Sequence, residues 1–229
     1  MRRKPVIAID GPSGAGKSTA TSRLAARLGY LHIDTGAMYR TIALSVLRAG
    51  VSPDDEEGLC RIVPTVSISF RPEGGHLRVF SGDEDVTPLI RDPDISMLTS
   101  TLSSRRVVRD RLLLEQRKLG ADGGVVLEGR DIGTVVFPDA EVKFFLTATP
   151  EERARRRYLE RRSIDGITYE SVLRQVVERD IQDETREIAP LRMAEDAILI
   201  DSTGRSIDDV VDEMVARVEA VKRRMGGGS

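Results

Sequence analysis

Short, almost wholly apolar runs punctuate the chain: residues 5–9, then Val125-Val126-Leu127, Val142-Lys143-Phe144-Phe145-Leu146 and Ala197-Ile198-Leu199-Ile200. Helical sequence separates each from the next, the pattern of central strands buried on both faces and joined by crossovers. This predicts an α/β fold around a parallel sheet. After the first run, a glycine-rich segment leads into an apolar-periodic stretch through Leu24, Ala25 and Leu28 that stops at Gly29, which reads as strand, loop and helix. Leu31 to Asp34 reads as a further short strand, followed by a helix from about Thr35 to Arg48. One stretch departs from this rhythm. Val66, Ile68 and Phe70 alternate with Ser67, Ser69 and Arg71, and Gly74-Gly75 leads into Leu77 to Phe80, so a small antiparallel insert is expected between about Pro64 and Pro88. No internal repeat is visible.

Composition narrows the class. With 229 residues, 40 % hydrophobic and 31 % charged, the chain is long enough for one sizeable core and too apolar for disorder. Its 37 acidic and 35 basic side chains leave a formal charge of −2, without the basic excess of a protein that binds nucleic acid through overall charge. Cys60 is the single cysteine, so no internal disulfide or cysteine-based zinc cluster can form, which fits a reducing compartment. The basic start is followed by only four apolar residues before Asp10, and no apolar stretch approaches the ~18 residues of a membrane span. A soluble, cytoplasmic protein with no membrane and no nucleic-acid partner is expected, and nothing demands more than a monomer. Five of the 35 bases are lysine and the other 30 are arginine. Codon bias in a GC-rich genome accounts for surface arginines, so position must separate the functional ones.

Gly11-Pro12-Ser13-Gly14-Ala15-Gly16-Lys17-Ser18 matches G-x-x-x-x-G-K-[ST] between a predicted strand and helix. The glycines let backbone N–H groups turn inward around phosphates at the positive end of a helix. Lys17 is then expected at the β- and γ-phosphates, and the Ser18 hydroxyl on Mg²⁺. Such a loop specifies a nucleoside triphosphate and no acceptor, because switches, motors and small-molecule kinases all use it.

Three further clusters bear on the acceptor. Asp34-Thr35-Gly36-Ala37-Met38-Tyr39-Arg40 sits at the predicted end of a strand, the edge where ligands bind in open α/β sheets. Glu128-Gly129-Arg130-Asp131 puts a carboxylate at the end of a second buried strand, placed to order Mg²⁺ or its waters; a charged turn would look the same. Arg179, Asp183 and Arg186 fall at i, i+4 and i+7 of a helix, as a site or as an exposed salt-bridged face. A fourth region, Arg153, Arg155, Arg156, Arg157, Arg161 and Arg162 before Ser163-Ile164-Asp165-Gly166, reads as an arginine-bearing lid, an RNA-facing helix or a solvated face. The acidic total favours the lid. His32 and His76 are read as structural.

Together these motifs resemble the bacterial cytidylate kinase family of P-loop nucleoside monophosphate kinases. The P-loop, D-T-G-A-M-Y-R at 34–40, E-G-R-D-I-G-T-V-V-F-P-D-A at 128–140, R-D-I-Q-D-E-T-R at 179–186, A-P-L at 189–191 and D-S-T at 201–203 follow one another in family order, and the resemblance covers essentially residues 5–222. It implies a P-loop NTPase-type three-layer fold with a parallel central sheet, a small antiparallel β insert in the monophosphate-binding region and a short helical lid. One kinase domain would span 1–225, with its core at 5–50, 122–150 and 190–225, the insert at about 64–102, the lid at about 153–170 and a flexible tail at 226–229.

By the same resemblance, Gly11, Pro12, Ser13, Gly14, Ala15, Gly16, Lys17, Ser18 and Thr19 bind ATP. Thr35, Arg40, Ser100, Arg109, Arg130, Asp131, Arg179, Asp183 and Arg186 bind CMP. Within that set Arg40, Arg130 and Arg186 hold the acceptor phosphate, Ser100, Arg109 and Asp131 read the cytosine, and Arg179 and Asp183 contact the pentose. Lys17 and Arg130 act on the transferring phosphoryl group, with Arg155 and Arg157 as lid candidates by location. Ser18 ligates Mg²⁺ directly, and Glu128 does so directly or through water. The family often has Asp where this chain has Glu128 and Ser where it has Thr35. The implied reaction is ATP-dependent phosphorylation of CMP and dCMP, with Mg²⁺. The rival readings are a kinase for UMP, AMP or shikimate, a nucleotide switch, and an RNA-binding regulator; the switch lacks a guanine-reading N-K-x-D.

Overall fold

A computed structural model describes residues 4–73, 76–162 and 166–226. The chain runs β1 (Val6–Asp10), α1 (Lys17–Leu28), β2 (Leu31–Asp34), α2 (Thr35–Arg48), α3 (Glu56–Ile62), β3 (Ile68–Glu73), β4 (His76–Ser81), β5 (Glu84–Asp85), α4 (Pro93–Leu102), α5 (Arg106–Gly120), β6 (Val125–Glu128), β7 (Val142–Thr147), α6 (Pro150–Arg161), α7 (Tyr169–Thr185), β8 (Ile198–Asp201) and α8 (Ile207–Gly226). It packs as two compact units, one of residues up to Ile33 and from Leu119 onwards, the other of Asp34–Lys118. The expected Gly74-Gly75 turn, the lid residues Ser163-Ile164-Asp165 and the tail beyond Gly226 lie outside the described residues.

The first unit is built on a five-stranded sheet in the order β2-β6-β1-β7-β8. β1 lies between β6 and β7, parallel to both, with Ile7 opposite Val126 on one side and Val142 on the other. All of β1 and β6 is buried, which is why their sequences are continuous apolar runs rather than alternating ones. One face of the sheet, including Ile7, Ile9, Phe144 and Ile200, packs on Ala20, Leu24 and Ala25 of α1 and on Val210 and Met214 of α8. Burying a side chain of this size contributes about 1.5–3 kcal/mol. The apolar runs mark the strands but miss their last residues. Asp10 pairs with Phe145 and Asp201 with Thr147, because ladder hydrogen bonds do not depend on side-chain polarity.

In the second unit, β3, β4 and β5 form the antiparallel insert, with Phe70 opposite Val79 and Phe80 opposite Asp85. Arg71 stacks its guanidinium 4.1 Å over the Phe80 ring. α2 presents Ala37, Met38, Thr41, Ile42 and Val46 to the interior of this unit. Asp34 caps α2 by accepting from the Ala37 N–H at 2.9 Å. Among the described residues, no helix is long and apolar enough to cross a membrane.

One buried carboxylate ties β1 to the turn after β6. Asp10 accepts hydrogen bonds from the N–H groups of Ile132, at 2.8 Å, and Gly133, at 2.7 Å. Those residues open a single wide turn, closed from Val136 N–H to Asp131 carbonyl and from Phe137 N–H to Ile132 carbonyl. Burial raises the Asp10 pKa from 3.8 to about 6, against the lowering effect of the two backbone donors. With the folded value above the unfolded one, its contribution to stability is fully present below pH 3.8 and declines by about 3 kcal/mol as pH rises through 6. The unfolding free energy of the wild type, minus that of Asp10→Asn, should therefore fall by about 2 kcal/mol between pH 4 and 7 in urea titrations. Parallel pH curves for the two proteins would show that Asp10 is not the buried titrating group.

Candidate active site

Residues 11–16 cross from β1 to α1 as a tight loop. At Gly11, φ is 144°, and a Cβ would lie 2.0 Å from the Leu146 carbonyl oxygen, so no side chain fits between the loop and β7. Gly16, at φ 90°, precedes α1 without a side-chain cap, and the first turn of the helix carries no acidic residue. An anion is therefore the complement of these N–H groups. Lys17 opens the helix and is 6 % exposed. Its Nζ donates to the carbonyls of Gly11 and Pro12, each at 2.7 Å, which folds the ammonium back over the loop. Burial, followed by repulsion from Arg130, pushes the Lys17 pKa well below the usual lysine range, opposed by Glu128, Asp183 and Asp10. A polyphosphate arriving there would relieve that cost.

Ser18 follows, its hydroxyl donating to Glu128 Oε2 at 2.8 Å. Glu128 is the last residue of β6 and is 4 % exposed. Its other oxygen, Oε1, lies 2.9 Å from Nε2 of His32 on the neighbouring strand β2. The hydroxyl and carboxylate are hard oxygen donors of the kind Mg²⁺ takes, usually one or two from protein with the rest from water and phosphate. Among the described residues, no group of three His, Cys, Asp or Glu side chains forms a protein-only cage. The Ser18–Glu128 pair therefore fits a metal that arrives with its nucleotide.

Beyond β6, Arg130 and Asp131 face the C-terminal part of α7. Arg130 donates from Nε to Asp183 Oδ2 at 2.8 Å. Arg186 places Nη2 at 3.8 Å from Asp131 and Nη1 at 4.0 Å from Asp183. Burial works against the Asp183 charge, but Arg130, Arg179 and Arg186 hold its pKa below the usual carboxylate value. Burial likewise opposes the Arg130 charge, and Asp183 outweighs it, leaving that pKa raised. Arg179, Asp183 and Arg186 follow one another along α7 and its C-cap. Arg186 is the C-cap of α7: at φ −60° its N–H still bonds the Gln182 carbonyl, which keeps its side chain on the helical stripe, and its Nε donates to the Ala189 carbonyl at 2.6 Å. Ala189 itself has φ 49°, a conformation costing an alanine roughly 1–2 kcal/mol.

The arginines of α6 divide by helical phase. Arg153, Arg156 and Arg157, at i, i+3 and i+4, turn to the loop. Arg153, 3 % exposed, donates to the Ser13 carbonyl at 3.2 Å and pairs with Asp180 at 2.6 and 2.8 Å. Arg156 reaches the Ser202 carbonyl at 2.7 Å, and Arg157 donates to the Ser13 hydroxyl. Arg155 lies on the opposite side, exposed and bonded to Glu152 at 2.9 and 3.0 Å. The structure thus does not bring Arg155 to the loop, contrary to the expectation from its location, while Arg157 is there. Arg153 is a buried strut between the loop and Asp180 of α7.

Within the Asp34–Lys118 unit, Thr35 is buried at the start of α2, and Arg40 donates to Asp34 Oδ2 at 2.9 Å. Ser100 lies in α4. Arg109, in α5 and 7 % exposed, donates to the Ser103 carbonyl at 3.1 Å, with its guanidinium 6.0 Å from the Tyr39 ring.

A cytidylate kinase family profile matches residues 7–220. The chain belongs to the cytidylate kinase family. It is 55 % identical, over 97 % of its length and 95 % of the relative's, to a protein named cytidylate kinase from Geobacter sp. strain M21. It is also 55 % identical, over 99 % of its length and 97 % of the relative's, to one of that name from Geobacter sulfurreducens. A crystal structure of an uncharacterized protein from Eubacterium ventriosum shares the fold, with a TM-score of 0.53 at 11 % identity, covering 94 % of this chain and 99 % of that one.

In this cytidylate kinase family member, sequence reasoning gave Asp10 and Ala189 no role in the site, read His32 as structural and placed Arg153 in the lid region. Asp10, His32, Arg153 and Ala189 act through partners distant in sequence or through backbone conformation. Ser202, within the D-S-T motif, is within 3.1 Å of the Ala15 carbonyl and accepts from Arg156 at 3.0 Å, so that motif buttresses the loop.

Proposed function

We propose that the protein catalyses ATP-dependent, in-line phosphorylation of CMP and dCMP, giving CDP and dCDP with Mg²⁺. The observation that carries this reading is the 55 % identity, over 97 % of the chain, with a protein named cytidylate kinase. The Lys17 loop and the Arg130–Asp183–Arg186 cluster within one unit support it. ATP is assigned to residues 11–19. CMP is assigned residue by residue, to Thr35, Arg40, Ser100 and Arg109 and to Arg130, Asp131, Arg179, Asp183 and Arg186. A cytoplasmic monomer that takes only these small nucleotides completes the reading.

The acceptor is a phosphate with a second pKa of about 6, mostly dianionic at neutral pH, so no general base is required. The difficulty is charge. Lys17 neutralises the donor phosphates, Arg130 and Arg186 neutralise the acceptor, and Arg157, on α6 beside Ser13, stands next to the donor loop. Ser18 and Glu128 would hold Mg²⁺, which would supply positive charge to the donor phosphates. Water exclusion then favours transfer over hydrolysis. Incubation with γ-³²P-ATP and CMP should yield labelled CDP, whereas labelled inorganic phosphate alone would remove the transferase reading.

A further inference from the structure

His32 stands outside every role assigned above, yet its ring reaches the carboxylate beside the donor loop. Its side chain is 18 % exposed and that of Glu128 5 %, and they meet at 2.9 Å although 96 residues apart in sequence. The contact arises from topology: β2 lies next to β6, so a side chain from the edge strand reaches across to the last residue of its neighbour. The two oxygens of Glu128 thus have separate anchors, Ser18 Oγ on Oε2 at 2.8 Å and His32 Nε2 on Oε1 at 2.9 Å. An ionised carboxylate only accepts, so Nε2 carries the hydrogen.

A glutamate carries its carboxylate on three rotatable bonds, one more than an aspartate, and each populated rotamer is a wrong orientation for a ligand. Ser18 donates one hydrogen, to Oε2, which fixes a single point of the carboxylate and leaves its plane free to turn about that point. The imidazole on Oε1 supplies a second point. Resting on the reading that Glu128 orders Mg²⁺ or its waters, we infer that His32 is a positioning residue for that metal, fixing the plane and rotamer of Glu128 from outside the coordination sphere. It touches neither nucleotide nor reacting atoms.

The test compares His32→Leu, His32→Gln and Glu128→Gln, with the double variant His32→Leu/Glu128→Gln. Equilibrium Mn²⁺ binding, read by electron paramagnetic resonance with a non-hydrolysable ATP analogue, is set beside the Mg²⁺ dependence of turnover and the melting temperature of the nucleotide-free protein. Leucine removes the donor, whereas glutamine restores an N–H at similar reach. His32→Leu should weaken Mn²⁺ binding about tenfold and raise the half-saturating Mg²⁺ concentration equally, with kcat at saturating Mg²⁺ little changed. His32→Gln should recover most of that loss, and His32→Leu should add nothing in the Glu128→Gln background. Unchanged metal binding in His32→Leu, with Glu128→Gln impaired, would overturn the inference alone. So would equal losses in the leucine and glutamine variants accompanied by equal falls in melting temperature, which mark a packing role. Unchanged metal binding in Glu128→Gln would overturn both the inference and the metal assignment beneath it.

Discussion

Lys17→Ala should lower the rate of phosphoryl transfer by at least about a hundredfold, the scale of removing one preorganised group that meets charge in the transition state. The side chain is buried, donates to the Gly11 and Pro12 carbonyls at 2.7 Å and lies where burial and Arg130 disfavour its charge. That environment makes the ammonium expensive in the free protein and therefore responsive to an anion. Alanine removes the cation and leaves two loop carbonyls without their donor, so single-turnover rates at saturating ATP should fall while circular dichroism at 25 °C stays unchanged. A folded Lys17→Ala protein with a wild-type single-turnover rate would refute the assignment of residues 11–19 to the donor phosphates.

Arg130→Ala should reduce kcat by more than tenfold and leave ATP affinity within about threefold. Arg130 is committed to Asp183 at 2.8 Å, with Arg186 4.0 Å from the same carboxylate, so one anion organises two guanidinium groups. Removing Arg130 also unbalances Asp183. Its depressed pKa means a contribution to stability that is present above the unfolded value and is lost as pH falls through the folded one. Without Arg130 that loss should begin at higher pH, and stability at pH 7 should fall by about 2 kcal/mol, the scale of a hydrogen bond to a charged group. Arg130→Lys should recover more of the stability than of the turnover, since a lysine keeps the charge without the planar fork. Near-wild-type turnover in Arg130→Ala, checked by initial rates at saturating ATP and CMP, would remove Arg130 from the acceptor phosphate.

β1 and β6 were legible because burial on both faces writes itself as an uninterrupted apolar run, and the P-loop because its spacing is local; β8 carries a similar run yet is an edge strand with Leu199 exposed, so that run was misread as buried on both faces. Other parts of the site depend on information that no short window holds. Asp10 meets Ile132 122 residues away, and His32 meets Glu128 only because β2 flanks β6. Helical phase sorts Arg153, Arg156 and Arg157 from Arg155, but only once α6 is known to start at Pro150 and its inward face is known. Arg186 shows the limit of periodicity: its spacing continues the α7 stripe, but its approach to Asp131 comes from the packing of the fold and not from helical spacing.

Base choice separates the possible acceptors most sharply. Cytosine presents an amino donor at position 4 beside the N3 and O2 acceptors, which an aspartate, a serine hydroxyl and an arginine match; uracil puts a carbonyl against the carboxylate. A site built on that pattern rejects the wrong base strongly. The most direct measurement is steady-state ADP formation from Mg-ATP with CMP, dCMP, UMP, AMP or no acceptor. The account predicts ADP formation that depends on CMP or dCMP, with kcat/KM for CMP well above that for UMP. Equal kcat/KM for CMP and UMP, or ADP formation without any acceptor, would contradict it.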